Sequence, residues 1–260
     1  MIKQIVKVTL ARIADFLNLL RGYRLPAYFL ERDRIDVLLF GIEPDVSKIL
    51  KRKLRKGMTV LDVGGNVGLI CRICASRVGR SGHVWSFEPD PYTRGFLEYN
   101  VRRCANVSIS PIALSDANMT AKLHIHPRSG TSNSLLEFAA SEEAVDVECM
   151  TLDSFLAQHP EIRPDCVKID VEGAEPKVLA GMRQTLQRYP DLFLVIEFCP
   201  ANLANGGCSP QAYCALLESM GLGMEIIHKD GRSTAVSGVD DLLAKLGGEI
   251  YCNLVCQKRP

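Results

Sequence analysis

The stretch Val60–Ile70, VLDVGGNVGLI, constrains the fold of this chain more than any other. An apolar strand runs into Gly64 and Gly65, and after Gly68 apolar residues resume. Strand, glycine turn and helix in that order open a βαβ unit, whose helix crosses the sheet to reach a parallel strand. The alternation continues. Strands are expected at Thr59–Val63, His83–Glu88, Val107–Ser110, Asp165–Val171, Leu192–Phe198, Gly223–His228 and Ile250–Cys256. Helices are expected at Asn66–Arg77, Pro91–Arg103, Glu175–Arg188 and Pro210–Met220. Residues 111–164 are less regular, with paired strands Ala121–His126 and Val145–Met150 around the polar loop Arg128–Ser134. This predicts an α/β protein with a doubly wound, mostly parallel sheet. In such sheets ligands bind at the carboxyl ends of the strands, near the point where strand order reverses.

At 260 residues, 47% of them hydrophobic, the chain fits one domain over residues 41–260 behind an N-terminal helical extension, residues 1–40. Within the extension, Ile2, Ile5, Val6, Thr9, Leu10, Ile13, Phe16, Leu17 and Leu20 follow helical spacing, with Lys3, Lys7 and Asn18 opposite. The expectation is a helix packed on its own domain by that apolar face. The alternative is a partner helix or the inner membrane surface, since basic amphipathic helices suit anionic headgroups. Residues 43–55 read as a second helix. A net charge of +1 provides no overall basic field, which argues against a nucleic-acid partner. The ten cysteines are scattered, and the pair Cys71 and Cys74 falls in a helix with no second pair nearby. They read as packing residues in a reducing compartment. With neither a long apolar run nor a signal-peptide pattern, the expected location is cytoplasmic. The sequence carries no signal of oligomeric state.

The glycines do not follow the G-x-G-x-x-G order of dinucleotide sites. Asp62 stands immediately before them, where it would repel a pyrophosphate and favour a cofactor with positive charge. S-adenosylmethionine carries an ammonium and a sulfonium and no phosphate. Glu88 ends the second strand, 24 residues after Gly64, where these folds place an acid on the ribose diol. The same residues weigh against a nicotinamide-dependent dehydrogenase.

A second acidic cluster, VKIDVEGAE, covers Val167–Glu175. Asp170 lies at a strand end, Gly173 permits a tight turn, and Glu175 suits the first turn of a helix. Together with VLDVGGNVG (60–68), FEPDP (87–91), ALSD (113–116) and TLDSF (151–155), it resembles the FkbM family of S-adenosylmethionine-dependent methyltransferases. The resemblance implies a seven-stranded Rossmann-like methyltransferase sheet. It also implies methyl transfer to an oxygen of a sugar, glycan or polyketide-like small molecule. By the same resemblance, Asp62, Gly64, Gly65, Asn66 and Gly68 form the methionine-side loop. Glu88 holds the ribose, Asp116 lies near the adenine, and Asp170 faces the sulfonium or the acceptor. Gly65 stands where the family pattern has alanine, a change expected to matter little sterically.

A sugar hydroxyl needs help to lose its proton. Asp170 and Glu172 are the first candidates for a base, and Glu197 is the third. No metal site is predicted, although a divalent ion on Asp170 and a second acid stays open. His124 and His126 share a strand face before the Arg128–Ser134 loop and read mainly as exposed residues. His83, His159 and His228 read as surface residues, and Trp85 as core. A non-catalytic scaffold that keeps the cofactor pocket is the remaining alternative.

Overall fold

The computed structural model describes residues 2–125, 133–136 and 143–258. His126 and most of the Arg128–Ser134 loop lie outside the described residues.

Six strands form the parallel body of the sheet: β1 (Thr59–Val63), β2 (His83–Phe87), β3 (Val107–Ser110), β7 (Cys166–Ile169), β8 (Phe193–Phe198) and β9 (Leu222–Ile227). Strand β11 (Cys252–Lys258) inserts antiparallel between β8 and β9. Strand β10 (Ser233–Val236) adds an antiparallel edge beside β9. The order is β10-β9-β11-β8-β7-β1-β2-β3, so the sheet has eight strands rather than the expected seven. The extra one is β10, a short, mostly exposed strand without the apolar run that revealed its neighbours. A separate three-stranded sheet holds β4 (Ala113–Leu114), β5 (Met119–Ile125) and β6 (Glu143–Met150).

The central strands read as unbroken apolar runs because both of their faces are covered. Leu61, Val63, Val167, Ile169, Leu194 and Ile196 face one core. There they meet α6 (Leu152–Gln158), α7 (Glu175–Ala180), α8 (Arg183–Arg188) and α10 (Pro210–Ser219). Val60, Cys166, Phe193 and Val195 face the other, against α3 (Pro44–Lys53), α4 (Leu69–Val78) and α5 (Pro91–Val101). Cys71 and Cys74 lie buried in that second core as free thiols, which fits their reading as packing residues. The expected helix 175–188 is broken into α7 and α8 at Gly181, where a Cβ would come 2.0 Å from the Ser115 carbonyl oxygen. The Asp153 carboxylate caps α8 by accepting the Gln184 and Thr185 N–H groups, at 3.0 and 2.7 Å.

In the extension, α1 (Ile2–Leu20) forms as the periodicity predicts and pairs with α2 (Glu31–Phe40), which the sequence reading missed. Its orientation differs from the expectation. Ala11, Ala14 and Asn18 are buried, while Leu10, Ile13, Phe16 and Leu20 are 49–69% exposed. Arg34 fixes the pair, reaching the Asp15 carboxylate at 2.6 Å and the Phe29 carbonyl at 2.9 Å. Beyond α1, Tyr23, Tyr28 and Phe29 pack on Val67, Leu69 and Phe96, beside the glycine loop. Asn100 ties the two together, donating to the Arg24 and Val67 carbonyls at 2.9 and 2.8 Å.

Candidate active site

The sheet order reverses between β1 and β7, and there the carboxyl ends of the strands open into a cavity of ≈ 430 Å³. Gly64 begins the loop at φ +79°, and a Cβ there would lie 1.9 Å from the Asp170 carbonyl oxygen. No side chain fits. The Gly64 and Gly65 N–H groups both donate to the Phe87 carbonyl, at 3.1 and 2.9 Å. Asn66, at φ 48°, donates its N–H to Glu88 Oε2 at 2.8 Å. The other oxygen of Glu88 accepts the Asp90 N–H at 3.0 Å. Glu88 thus clamps the loop to the end of β2, and burial pushes its carboxyl up to about 7. Gly64, Asn66 and Glu88 line the cavity.

The remaining loop glycines serve packing. A Cβ on Gly68 would meet Leu97 Cδ1 at 2.5 Å, and one on Gly65 would meet Ser86 Oγ at 2.1 Å. Alanine at position 65 is therefore not the neutral change expected from sequence, because in this chain a serine hydroxyl fills the space. Neither Gly65 nor Gly68 is part of the cavity wall.

Asp62 also requires correction. It is fully buried and outside the cavity wall. The register sets Asp62 directly between Ser86 and Lys168, on the same face of three adjacent strands. Its Oδ2 accepts from the Ser86 hydroxyl at 3.1 Å, and Lys168 Nζ stands 3.9 Å from Oδ1. The positive charge that Asp62 answers is the protein's own lysine. Lys168 reaches on to Asp170 Oδ2 and the Gly64 carbonyl, each at 3.1 Å, so it braces the loop from below. Burial opposes its charge, but Asp170, Asp62 and Glu43 hold it above the ordinary lysine value.

Asp116 is exposed beyond β4 and does not reach the cavity. The residues just before it, Ile112, Ala113 and Leu114, form an apolar wall there instead.

Across the cavity stand Asp170, Glu172 and Glu197. Glu172 holds φ 54°, and Gly173 follows at φ +97° with a would-be Cβ only 2.4 Å from the Asn202 carbonyl. The Asn202 amide donates to Glu172 Oε2 at 2.7 Å. Burial, then the neighbouring Asp170 and Glu175, push Glu172 up to about 8. Glu197 is pushed to about 10 by burial and the neighbouring carboxylates, and its Oε2 has no hydrogen-bond partner among the described residues. Glu175 turns back to accept the Val171 and Gly173 N–H groups, at 2.9 and 3.2 Å. Oxygens of Asp170, Glu175 and Glu197 lie within 4.8 Å of one another, close enough for a divalent ion, though Glu175 is already committed to the turn. Four further wall residues had no signal in the sequence: Glu43, Asn202, Tyr251 and Asn253. They come from a helix N-cap, the short helix Pro200–Asn205, a loop and the start of β11, which only the fold brings together.

Trp85 packs edge-on against Phe155, with ring centroids 5.5 Å apart, as a core residue would. His159 is not a free surface residue, since its ring lies 4.6 Å from that of Phe155. His124 does not line the cavity.

A doubly wound sheet with a glycine turn at its switch point and an acid closing the second strand defines a Rossmann-like fold. The sequence pattern of the methyltransferase FkbM domain matches residues 62–221, and the chain belongs to that family. It is an enzyme of the S-adenosylmethionine-dependent methyltransferase class. Among curated proteins it is similar to hexuronic acid methyltransferase AglP of Haloferax volcanii, 27% identical over 184 residues, 71% of each chain. It is also similar to 2-O-methyltransferase NoeI of Sinorhizobium fredii, 26% identical over 63% of this chain and 72% of the relative. Among solved structures, a TehB-like methyltransferase from Corynebacterium glutamicum shares the fold at a TM-score of 0.51. That likeness covers 88% of this chain and 95% of the other at 13% identity.

Proposed function

We propose that this enzyme methylates a hydroxyl oxygen of a sugar, glycan or similar polyhydroxylated small molecule. The observation that carries the reading is a single cavity joining the Gly64–Glu88 loop to the Asp170, Glu172 and Glu197 carboxylates. The name of the relative AglP, a hexuronic acid methyltransferase, supports a sugar-type acceptor, and that of NoeI, a 2-O-methyltransferase, supports transfer to oxygen.

The residues present fit S-adenosylmethionine. Glu88 has lone pairs left for a ribose diol after its two backbone bonds, Ile112–Leu114 offer a flat apolar wall, and Gly64 lets a ligand lie against the backbone. Bound there, the cofactor supplies an electrophilic methyl group whose leaving thioether needs no acid. The protein's task is to align the acceptor and take its proton, and alignment alone is worth up to about 7–11 kcal/mol in favourable cases. Glu172 is the base. Its carboxyl at about 8 lies nearer the working pH than an ordinary glutamate, and Asn202 orients it. Glu197, at about 10, keeps its proton at neutral pH and donates a hydrogen bond to the acceptor. Glu172 adopts a left-handed backbone conformation that non-glycine residues rarely hold, and such residues gather at functional sites.

The test is turnover with S-adenosylmethionine against a panel of free, nucleotide-linked and lipid-linked sugars, read as one added methyl group by mass spectrometry. Transfer to a hydroxyl supports the reading. Transfer only to amines or to protein would overturn it.

No helix among the described residues is long and apolar enough to cross a membrane. The outward apolar stripe of α1, with exposed Lys7 and Arg12 at its two edges, supports peripheral contact with an anionic lipid surface. Phe16→Glu should then release the protein from anionic vesicles in a flotation assay. Equal flotation of the two proteins would remove this part of the proposal.

A further inference from the structure

Glu43 lies 19 residues before the matched segment begins at residue 62, yet it lines the same cavity as Gly64 and Asp170. It sits at the N-terminus of α3 but does not cap it: no side-chain cap bond forms, and its backbone is left-handed at φ 41°, ψ 69°. A glutamate held this way presents its carboxylate to the cavity rather than to its own helix.

The sheet order assigns the ends of that cavity. Glu88 on β2 and the Ile112–Leu114 wall lie to one side of β1, and Asp170 after β7 lies to the other. With ribose held by Glu88 and the base by the Ile112–Leu114 wall, the residues left to hold the amino-acid arm would be those from Gly64 toward β7. That is the side where Glu43 shares the field of Lys168 and Asp170. Among the described residues Lys168 pairs with Asp62 and Asp170, and Glu43 has no ion pair of its own. Burial holds the Glu43 carboxyl toward its neutral form, at about 8, so a positive group of a guest is the partner that would charge it.

Resting on the cofactor reading above, we propose that Glu43 binds the α-ammonium of the S-adenosylmethionine amino-acid arm. Asp62, the residue to which sequence would assign this charge, is fully buried off the cavity wall: its Oδ2 accepts from Ser86, and its Oδ1 has no hydrogen-bond partner among the described residues, with Lys168 Nζ 3.9 Å away.

Three ligands separate the outcomes: S-adenosylmethionine, S-adenosylhomocysteine and 5′-methylthioadenosine, which keeps the nucleoside but lacks the amino-acid arm. In Glu43→Gln, affinity for the first two should fall by about 10-fold or more while methylthioadenosine binds as to wild type. Glu43→Asp, which keeps the charge, should recover part of the loss, and the melting temperature of the free variants reports that the fold is intact. Undiminished S-adenosylmethionine binding in Glu43→Gln, or equal loss for ligands with and without the arm, would overturn the role of Glu43 alone. Failure of folded wild type to bind S-adenosylmethionine would instead overturn the cofactor reading itself.

Discussion

On the β2 side of the cavity, Glu88 is buried but accepts two backbone N–H groups, and the Gly64 and Gly65 N–H groups share the Phe87 carbonyl. On the β7–β8 side, Glu172 and Glu197 stand largely buried at the cavity wall, with Asn202 donating to Glu172 and Lys168 engaged by Asp170. The first side is satisfied by its own backbone and keeps its shape without a guest. The second gathers like charges out of water, so protons or a guest must neutralise it. A fixed half suits a cofactor common to a family. A titrating half suits a step that moves a proton.

Four changes break or sharpen this contrast. The largest effect belongs to Gly64→Ala, whose Cβ would meet the Asp170 carbonyl oxygen at 1.9 Å. It should abolish cofactor binding and cost more than about 2 kcal/mol in thermal or denaturant unfolding. Next is Glu172→Gln, which should lower kcat by about 10²–10⁴-fold with cofactor affinity little changed, the signature of a lost base. Equal damage to binding would place Glu172 on the cofactor side. Glu88→Gln should do the reverse, weakening cofactor binding by about 10–100-fold while bound complexes still turn over. Gly65→Ala should destabilise by about 1–3 kcal/mol through overpacking. Gly65→Ala should cost less in a Ser86→Ala background than in wild type, because the clashing hydroxyl is gone, while Ser86→Ala carries its own cost from the lost bond to Asp62.

The buried carboxyls on both sides of the cavity set a pH dependence. Burial raises Glu88 and Glu175 to about 7, Glu43 and Glu172 to about 8, and Glu197 to about 10, from an ordinary 4.5. Between pH 4.5 and these values the folded chain holds more protons than the unfolded one, so raising pH through that window lowers stability. The melting temperature of the ligand-free enzyme should therefore fall as pH rises from about 5 to about 9. The Glu197→Gln variant should show a shallower fall, since it removes the group shifted furthest. Turnover should move oppositely, rising as Glu172 loses its proton near 8.

Periodicity and glycine placement made the sheet and the cofactor loop legible, because they are local in sequence. The misreadings share one cause, the contact that sequence does not show. Asp62 looked like a cofactor ligand because Lys168, its actual partner, comes 106 residues later and reads as one charge within an apolar strand. Glu43 was invisible for the same reason. In α1 the apolar stripe was plain, yet periodicity identifies a stripe and not what it touches. Here the small residues Ala11 and Ala14 make the contact and the large ones face out. Asp116 came from family resemblance, and the structure puts the preceding apolar residues at the wall instead.

The most direct test is calorimetric titration of S-adenosylmethionine into wild type, Glu88→Gln and Glu172→Gln side by side. We expect micromolar binding to wild type, clear loss in Glu88→Gln and retention in Glu172→Gln. No binding to folded wild type, or equal loss in both variants, would contradict the division of the cavity into a cofactor half and a proton-transfer half.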